Sequence, residues 1–421
     1  MRSVSDAGAP RIGSVLSGGG ARGAYEAGAI SILSPALDAR NQRPTLFVGT
    51  SVGAINAGYM GASAHLDAEE QAAGLLDRWR QATKGSVIRP ILLQQLPLTA
   101  LRYAGELLSV PGVRLPSLLD PKPLEHSLKR WMSWGDLHRN VGQGLLDAVA
   151  VVATAAGRGR TVAFVESHNE LPAHNSHAIE YVPTALSDEH VRASAAIPIL
   201  FPPVRVETPA EARGWYVDGG TRLNTPIKPA LDLGAERLVV IGTEAITEPP
   251  SEPGRHDSEP PDFGDGALHA LHGTLVDPLG EDMRMLGNIN EFFANGGVAP
   301  AAMRYREARV PYIFIAPARR GVIGDIASDV FRTRYGGLKG LRSPDFPLLN
   351  RLLGGDSPAH GELLSYLLFD QEFIEALIDL GRADAARWLN APPGADEPWQ
   401  LEPLDVFVES ARGDDAARPP R

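Results

Sequence analysis

The stretch "VGTSVGAIN", residues 48–56, sets Ser51 between Gly49 and Gly53. A G-x-S-x-G pattern serves a nucleophile only where a strand runs into it and a helix leaves it, because that sharp turn lifts the hydroxyl off the sheet edge. Both flanks qualify. "TLFV" (45–48) is a short β-type run, and "VGAINAGYMGA" (52–62) is small-residue and helix-compatible. Upstream, "IGSVL" (12–16) reads as a buried strand broken by Gly18-Gly19-Gly20. "ARGAYEAGAISILSPAL" (21–37) then has helical spacing, with Pro35 near its end.

Downstream, "DAVAVVATAA" (147–156), "RTVAFVE" (160–166), "GWYVD" (214–218), "ERLVVIGT" (236–243) and "VPYIFIAP" (310–317) read as strands. Several are β-branched runs of the kind buried on both faces, with helical stretches between them. That alternation predicts an α/β fold with a mainly parallel central sheet covered by helices. Residues 58–145 show little strand pattern. Within them, 89–120 is leucine-rich with only two acids, Glu106 and Asp120, and reads as a packed helical insertion or a cap over an apolar site. Residues 247–265 read as a surface loop, and 362–389 as helix. The tail after Ala391, rich in Pro and acids, reads as ragged.

Composition bounds the chemistry. The chain has 421 residues, 43% hydrophobic and 22% charged, with a net charge of −11. That acidity argues against general nucleic-acid binding. The absence of cysteine excludes disulfides, thiolate catalysis and Cys-ligated zinc. The sequence carries no signal-peptide pattern and no apolar run long enough to span a bilayer, so a cytoplasmic protein, peripheral at most, is expected.

"LSGGGARGAYEAG" (16–28) also contains G-x-G-x-x-G at Gly18, Gly20 and Gly23, with Asp38 18 residues past Gly20. This is the spacing of a dinucleotide fingerprint. The physics serves two uses, because backbone N–H groups turned outward at a helix N-terminus hold a phosphate or the oxyanion of an acyl intermediate equally well. The serine turn about 30 residues later favours acyl chemistry. A serine then needs a base. His256, His269, His272 and His360 follow the best acid candidate but have no distinctive neighbourhoods. That acid is Asp218, at the end of an aromatic-rich strand and before Gly219-Gly220.

Four ordered blocks resemble the patatin-like phospholipase family, in its bacterial acyl hydrolase form. They are "GGGARGAYEAG" (18–28), "GTSVGAINA" (49–57), "RASAAIPILFPPV" (192–204) and "YVDGGTRLNTPIKPALDLGAERLVVI" (216–241), the last with Asn224 and Pro226 in place. The resemblance implies a three-layer α/β/α fold and a Ser51–Asp218 dyad without histidine. It also implies an oxyanion hole from the amides of Gly18, Gly19 and Gly20, and no metal or cofactor. Arg22 would brace the loop or approach a substrate phosphate, Gly23 would support the loop, and Gly49, Gly53, Gly219 and Gly220 would shape the two turns. The implied activity is hydrolysis of lipid acyl esters, of phospholipase A or lysophospholipase type. The alternatives are a non-catalytic lipid-binding protein on the same fold and a dinucleotide-binding oxidoreductase. The expected division is a catalytic domain at 10–320, with a helical insertion at about 60–145, and a mainly helical extension at 321–421. Residues 302–342 carry nine basic residues (Arg304, Arg306, Arg309, Arg319, Arg320, Arg332, Arg334, Lys339, Arg342) against three acids. This stretch is a candidate for contact with anionic lipid.

Overall fold

The computed structural model describes residues 10–83, 85, 89–90, 119–120, 122–171, 178–198, 200–246, 278–295, 309–335, 358–390 and 398–404. The sheet is built from β1 (Ile12–Leu16), β2 (Leu46–Thr50), β5 (Ala148–Ala155), β6 (Arg160–Ser167), β7 (Ile179–Pro183), β8 (Val204–Val206), β9 (Gly214–Asp218), β10 (Arg237–Ile241) and β11 (Tyr312–Ile315). Two-residue strands β3 (Arg89–Pro90) and β4 (Leu119–Asp120) pair separately. The main order is β11-β10-β1-β2-β5-β6-β7, with β9 on β5 and β8 on β9. β11, β10, β1, β2 and β5 run parallel to one another, and β7 runs parallel to β6. The pairs β5–β6, β5–β9 and β8–β9 are antiparallel. The chain moves from β1 to β2 on one side and returns to β10 on the other. The loops after β1 and β2 therefore open at the reversal of strand order, where α/β sheets bind ligands.

Alternation along the strands feeds two cores. Leu16, Phe47, Val149, Val151, Val239 and Ile313 face one cluster, and Val15, Leu46, Val48, Val152, Leu238 and Val240 face the other. The first is covered by α1 (Gly23–Asp38), α2 (Val52–Ala62), α3 (Ala68–Gln81), α4 (Lys122–Trp131) and α5 (Trp134–Gly142). The second is covered by α7 (Ile227–Asp232) and α8 (Pro278–Ala294). This is the three-layer arrangement expected. α6 (Asp188–Ser194) packs beside β5, and α9 (Val322–Tyr335) follows β11.

The chain beyond residue 357 is part of this core. α10 (Pro358–Leu367) and α11 (Gln371–Leu389) divide the expected single helix at Leu368–Asp370, where the Asp370 side chain accepts the Glu372 N–H as an N-cap. α11 buries Phe373, Ile374, Leu377 and Ile378 in the first cluster. Gly28 of α1 meets the Ile378 carbonyl, and Gly381 of α11 meets that of Tyr25, so the two backbones touch where any Cβ would clash. Tyr25 also donates to Asp384 at 2.8 Å. Residues 398–404, within the tail read as ragged, return to the sheet edge. Tyr312 and Gln400 exchange backbone hydrogen bonds at 2.8 Å, and Trp399 is buried. Residues 91–118 of the leucine-rich stretch, the loop at 247–265, and His256, His269 and His272 lie outside the described residues. Among the described residues, no helix is long and apolar enough to cross a membrane.

Candidate active site

Sheet register brings Ser51 and Asp218 together. β2 pairs with β5 up to Thr50–Val152, and β9 takes over the same edge of β5 at Ala153–Asp218. The residue after β2 and the last residue of β9 therefore meet across the junction, although 167 positions separate them in the sequence.

Ser51 has φ 54° and ψ −121°, and it is one of two non-glycine residues with positive φ among the described residues. That strain marks a strand-to-helix turn held open by its surroundings. Gly49 and Gly53 pack against each other, and Gly53 lies on the carbonyl of Leu16. The Ser51 N–H donates to Ser194 Oγ at 2.8 Å, and Ser194 Oγ donates to the Val152 carbonyl at 2.5 Å. Two residues further on, the Ala196 carbonyl accepts the Asp218 N–H at 2.9 Å. The Ala/Pro block thus ties both turns to β5. Ser194 was not singled out in the sequence, because a serine among alanines carries no signal of what it caps.

Asp218 Oδ1 accepts the Gly220 N–H at 2.7 Å, and Gly219 packs on the Val152 carbonyl. Asp218 Oδ2 is buried with no partner of full hydrogen-bond geometry, although the Ser51 hydroxyl is near enough to stabilise the carboxylate. Burial pushes this carboxyl up to about 7, while the Ser51 hydroxyl and the Gly220 N–H pull against the shift. Desolvation disfavours the charged form, so the group titrates near neutrality, where a general base is most useful.

The glycine loop lies beside this site, with Gly18 against the Ser51 Cβ. The Gly18 N–H is already spent on the Asn224 carbonyl at 3.1 Å, which corrects the expectation that Gly18, Gly19 and Gly20 all donate. The Gly18 carbonyl is drawn inward by Thr243 Oγ1 at 2.8 Å, and the Gly19 carbonyl accepts the Arg22 N–H at 3.1 Å. In a trans peptide the C=O and the next N–H point opposite ways. The Gly19 and Gly20 N–H groups, with no partner among the described residues, therefore face away from those contacts. Gly20 has φ +59°, and a Cβ there would lie 2.3 Å from the Tyr366 carbonyl, so this position requires glycine. Gly23 opens α1 against Val52 and Trp79.

Arg22 braces the loop and does not reach outward. It is fully buried and pairs with both Glu244 and Glu362. It also donates to Ser365 Oγ at 2.6 Å and to the Glu362 carbonyl at 2.9 Å, and it lies 4.2 Å over the Tyr366 ring. Asp38 ends α1, about 22 Å from the loop at 1.5 Å per residue. A ribose-binding acid would stand at the end of the second strand, where this chain has Thr50 and Ser51, so the dinucleotide reading loses its acid.

A family model for patatin-like phospholipases matches residues 15–231, just over half of the chain. The chain belongs to the patatin-like phospholipase family. No curated protein matches it. Among solved structures, it is similar to VipD from Legionella pneumophila at 15% identity over 73% of this chain and 62% of that one, with a TM-score of 0.29. It is also similar to human GIVD cytosolic phospholipase A2, solved with methyl gamma-linolenyl fluorophosphonate, at 14% identity over 90% and 57%, with a TM-score of 0.39. The chain spans about three fifths of the length of each of these structures. The patatin-family blocks cover the elbow, the glycine loop and Asp218, whereas Thr243, Glu244, Glu362, Ser365 and Tyr366 lie beyond the matched residues.

The basic stretch at 302–342 is largely neutralised where it is described. Arg309 pairs with Glu402 at 3.4 Å, Arg319 with Asp325 at 2.7 Å, Arg332 with Asp329 at 3.1 Å, and Arg334 with Asp370 at 3.3 Å. Arg304, Arg306, Lys339 and Arg342 lie outside the described residues.

Proposed function

We propose that this patatin-family chain is a serine hydrolase of lipid acyl esters, acting through Ser51 and Asp218 without a metal or cofactor. The observation that carries the reading is the meeting of a strained Ser51 with a buried Asp218 carboxyl at the β2–β9 junction on β5. In the first step Asp218 takes the Ser51 proton while Oγ bonds to the ester carbonyl carbon. The carbonyl π pair moves to oxygen, which meets the Gly19 and Gly20 N–H groups. The intermediate collapses as the C–O bond to the alcohol breaks, and Asp218 returns its proton to that alcohol. Water then attacks the acyl-enzyme and gives its proton to Asp218. The fatty acid leaves, and Ser51 recovers its hydrogen.

The domain reading places this chemistry in 10–320 and gives the segment from 321 a supporting part, through α10 and α11. Contact with an anionic bilayer through 302–342 would draw on Arg304, Arg306, Lys339 and Arg342, since four of the described arginines already face carboxylates. The deciding experiment is labelling with a fluorophosphonate, followed by mass mapping. Label on Ser51, with hydrolysis of phospholipid vesicles lost in Ser51→Ala, supports the reading. An unlabelled but folded protein that only binds lipid would favour the non-catalytic alternative.

A further inference from the structure

Tyr366 is the feature that neither the dyad nor the loop accounts for. It sits near the end of α10, far outside the family-matched residues. Two contacts fix it, and one polar group is left over. Its carbonyl lies against Gly20, the Arg22 guanidinium lies 4.2 Å over its ring, and its hydroxyl is buried with no hydrogen-bond partner among the described residues. The phenol lies beside the glycine loop and within electrostatic reach of the Asp218 carboxylate. Burial and the charges of Glu362 and Asp218 push the phenol up, against the pull of Arg22, so the group remains a neutral donor at ordinary pH.

A buried hydroxyl without a partner is costly and persists in native proteins mainly where something else satisfies it. Any packing requirement at this position would be met by phenylalanine, which keeps the ring under Arg22 and removes the orphaned group. The cation over the ring face has a second effect, because it draws electron density from the phenol and strengthens its O–H as a donor.

We propose that the Tyr366 hydroxyl is a third oxyanion donor, contributed by the C-terminal helix, which hydrogen-bonds the acyl oxygen as negative charge develops on it during attack by Ser51. This assignment rests on the acyl-hydrolase reading above. The oxygen would then meet two amides from the loop after β1 and one phenol from α10, and the catalytic site would be incomplete without the segment beyond residue 357.

The test compares wild type, Tyr366→Phe and Ser51→Ala on p-nitrophenyl butyrate and on an alkyl butyrate, with denaturant midpoints for each. Tyr366→Phe is expected to lower kcat roughly 10²-fold, the scale of one lost oxyanion donor, on both esters alike. KM should change little, and the midpoint should stay equal or rise. Fluorophosphonate labelling of Ser51 should slow in parallel. An active wild type with unchanged kcat in Tyr366→Phe overturns the proposal and leaves the dyad reading standing. A loss confined to the alkyl ester overturns the oxyanion placement, because it assigns the hydroxyl to the leaving oxygen. A lower midpoint with unchanged kcat assigns a packing role and also overturns it. A folded wild type that neither labels nor hydrolyses overturns both readings together.

Discussion

The two turns that build the site are supported from different parts of the chain. The serine elbow is held by Gly49, Gly53, the Leu16 carbonyl and Ser194, all within the residues the family model matches. The glycine loop is held by Thr243, Glu244, Glu362, Ser365 and Tyr366, all beyond them. Within the matched region the loop also meets Asn224, and Gly23 at its end packs against Val52 and Trp79. The serine turn is thus held from within the residues the family model matches, and the glycine loop is held in large part from beyond them.

The largest expected effect lies at the elbow. Ser51→Ala should abolish fluorophosphonate labelling and lower hydrolysis on the order of 10⁴-fold or more, with the denaturant midpoint unchanged. Asp218→Asn should cost a comparable amount, and the double variant little more, because the two side chains act as one unit. Retention of most activity in Ser51→Ala would remove the elbow from the comparison altogether.

Next comes the loop. Gly20→Ala sets a Cβ on the Tyr366 carbonyl at a positive φ, and turnover should fall roughly 10²–10³-fold as the amides lose their aim. Arg22→Met should act on the same loop from its remote support. It leaves Glu244 and Glu362 buried without their cation, a situation that typically costs about 3–5 kcal/mol, read as a lower urea midpoint. Glu362→Gln should be milder, since Glu244 still faces Arg22. Arg22→Met with wild-type stability and turnover would show that the loop supports itself.

How much of this was legible follows the same division. The strand–turn–helix context of Ser51 was readable because the period switches from strand to helix on either side of one residue. Strands β1, β2, β5, β6, β9, β10 and β11 were readable as apolar runs. β7 and β8 were not, since "IEYVP" and "VRV" are short and half-buried edge pieces with mixed polarity. The function of Arg22 was left open because a lone arginine in a glycine loop does not say which way it points. Its partners lie more than 200 residues away, and no local pattern marks Glu244 or Glu362 as buried. The commitment of the Gly18 amide to Asn224 is likewise a tertiary fact, invisible in three identical glycines.

A third effect belongs to Asp218 and separates chemistry from support. With its carboxyl up at about 7, the base form is lost as pH falls. The rate should drop about tenfold per pH unit below that value, roughly a hundredfold by pH 5, without loss of label-competent fold. The sign for stability is the reverse. The folded carboxyl holds its proton to higher pH than the unfolded one, so its cost appears as pH rises from about 4 to 7 and persists above. Asp218→Asn should therefore be more stable than wild type at pH 8, by up to about 4 kcal/mol, and should lose that advantage near pH 4. A pH–rate profile flat from 5 to 8 would mean that another group takes the proton.

The smallest effect is expected at Ser194, and it sharpens the comparison most. Ser194→Ala strips the acceptor from the Ser51 N–H and the donor from the Val152 carbonyl. A buried amide left unpaired costs about 1–3 kcal/mol. The elbow nevertheless keeps its other supports. The Ser51 carbonyl still accepts the Ala54 N–H at 3.0 Å, and Gly49 and Gly53 still close the turn against each other and against Leu16. Stability should therefore fall by that amount while turnover drops only about tenfold, the rate equivalent of roughly 1.4 kcal/mol. Paired kcat and urea-midpoint measurements on Ser194→Ala and Gly20→Ala check this. Should Ser194→Ala cost as much turnover as Gly20→Ala, the strained serine would depend on remote support just as the loop does, and the contrast between a self-supported elbow and a loop held from the C-terminal helices would fail.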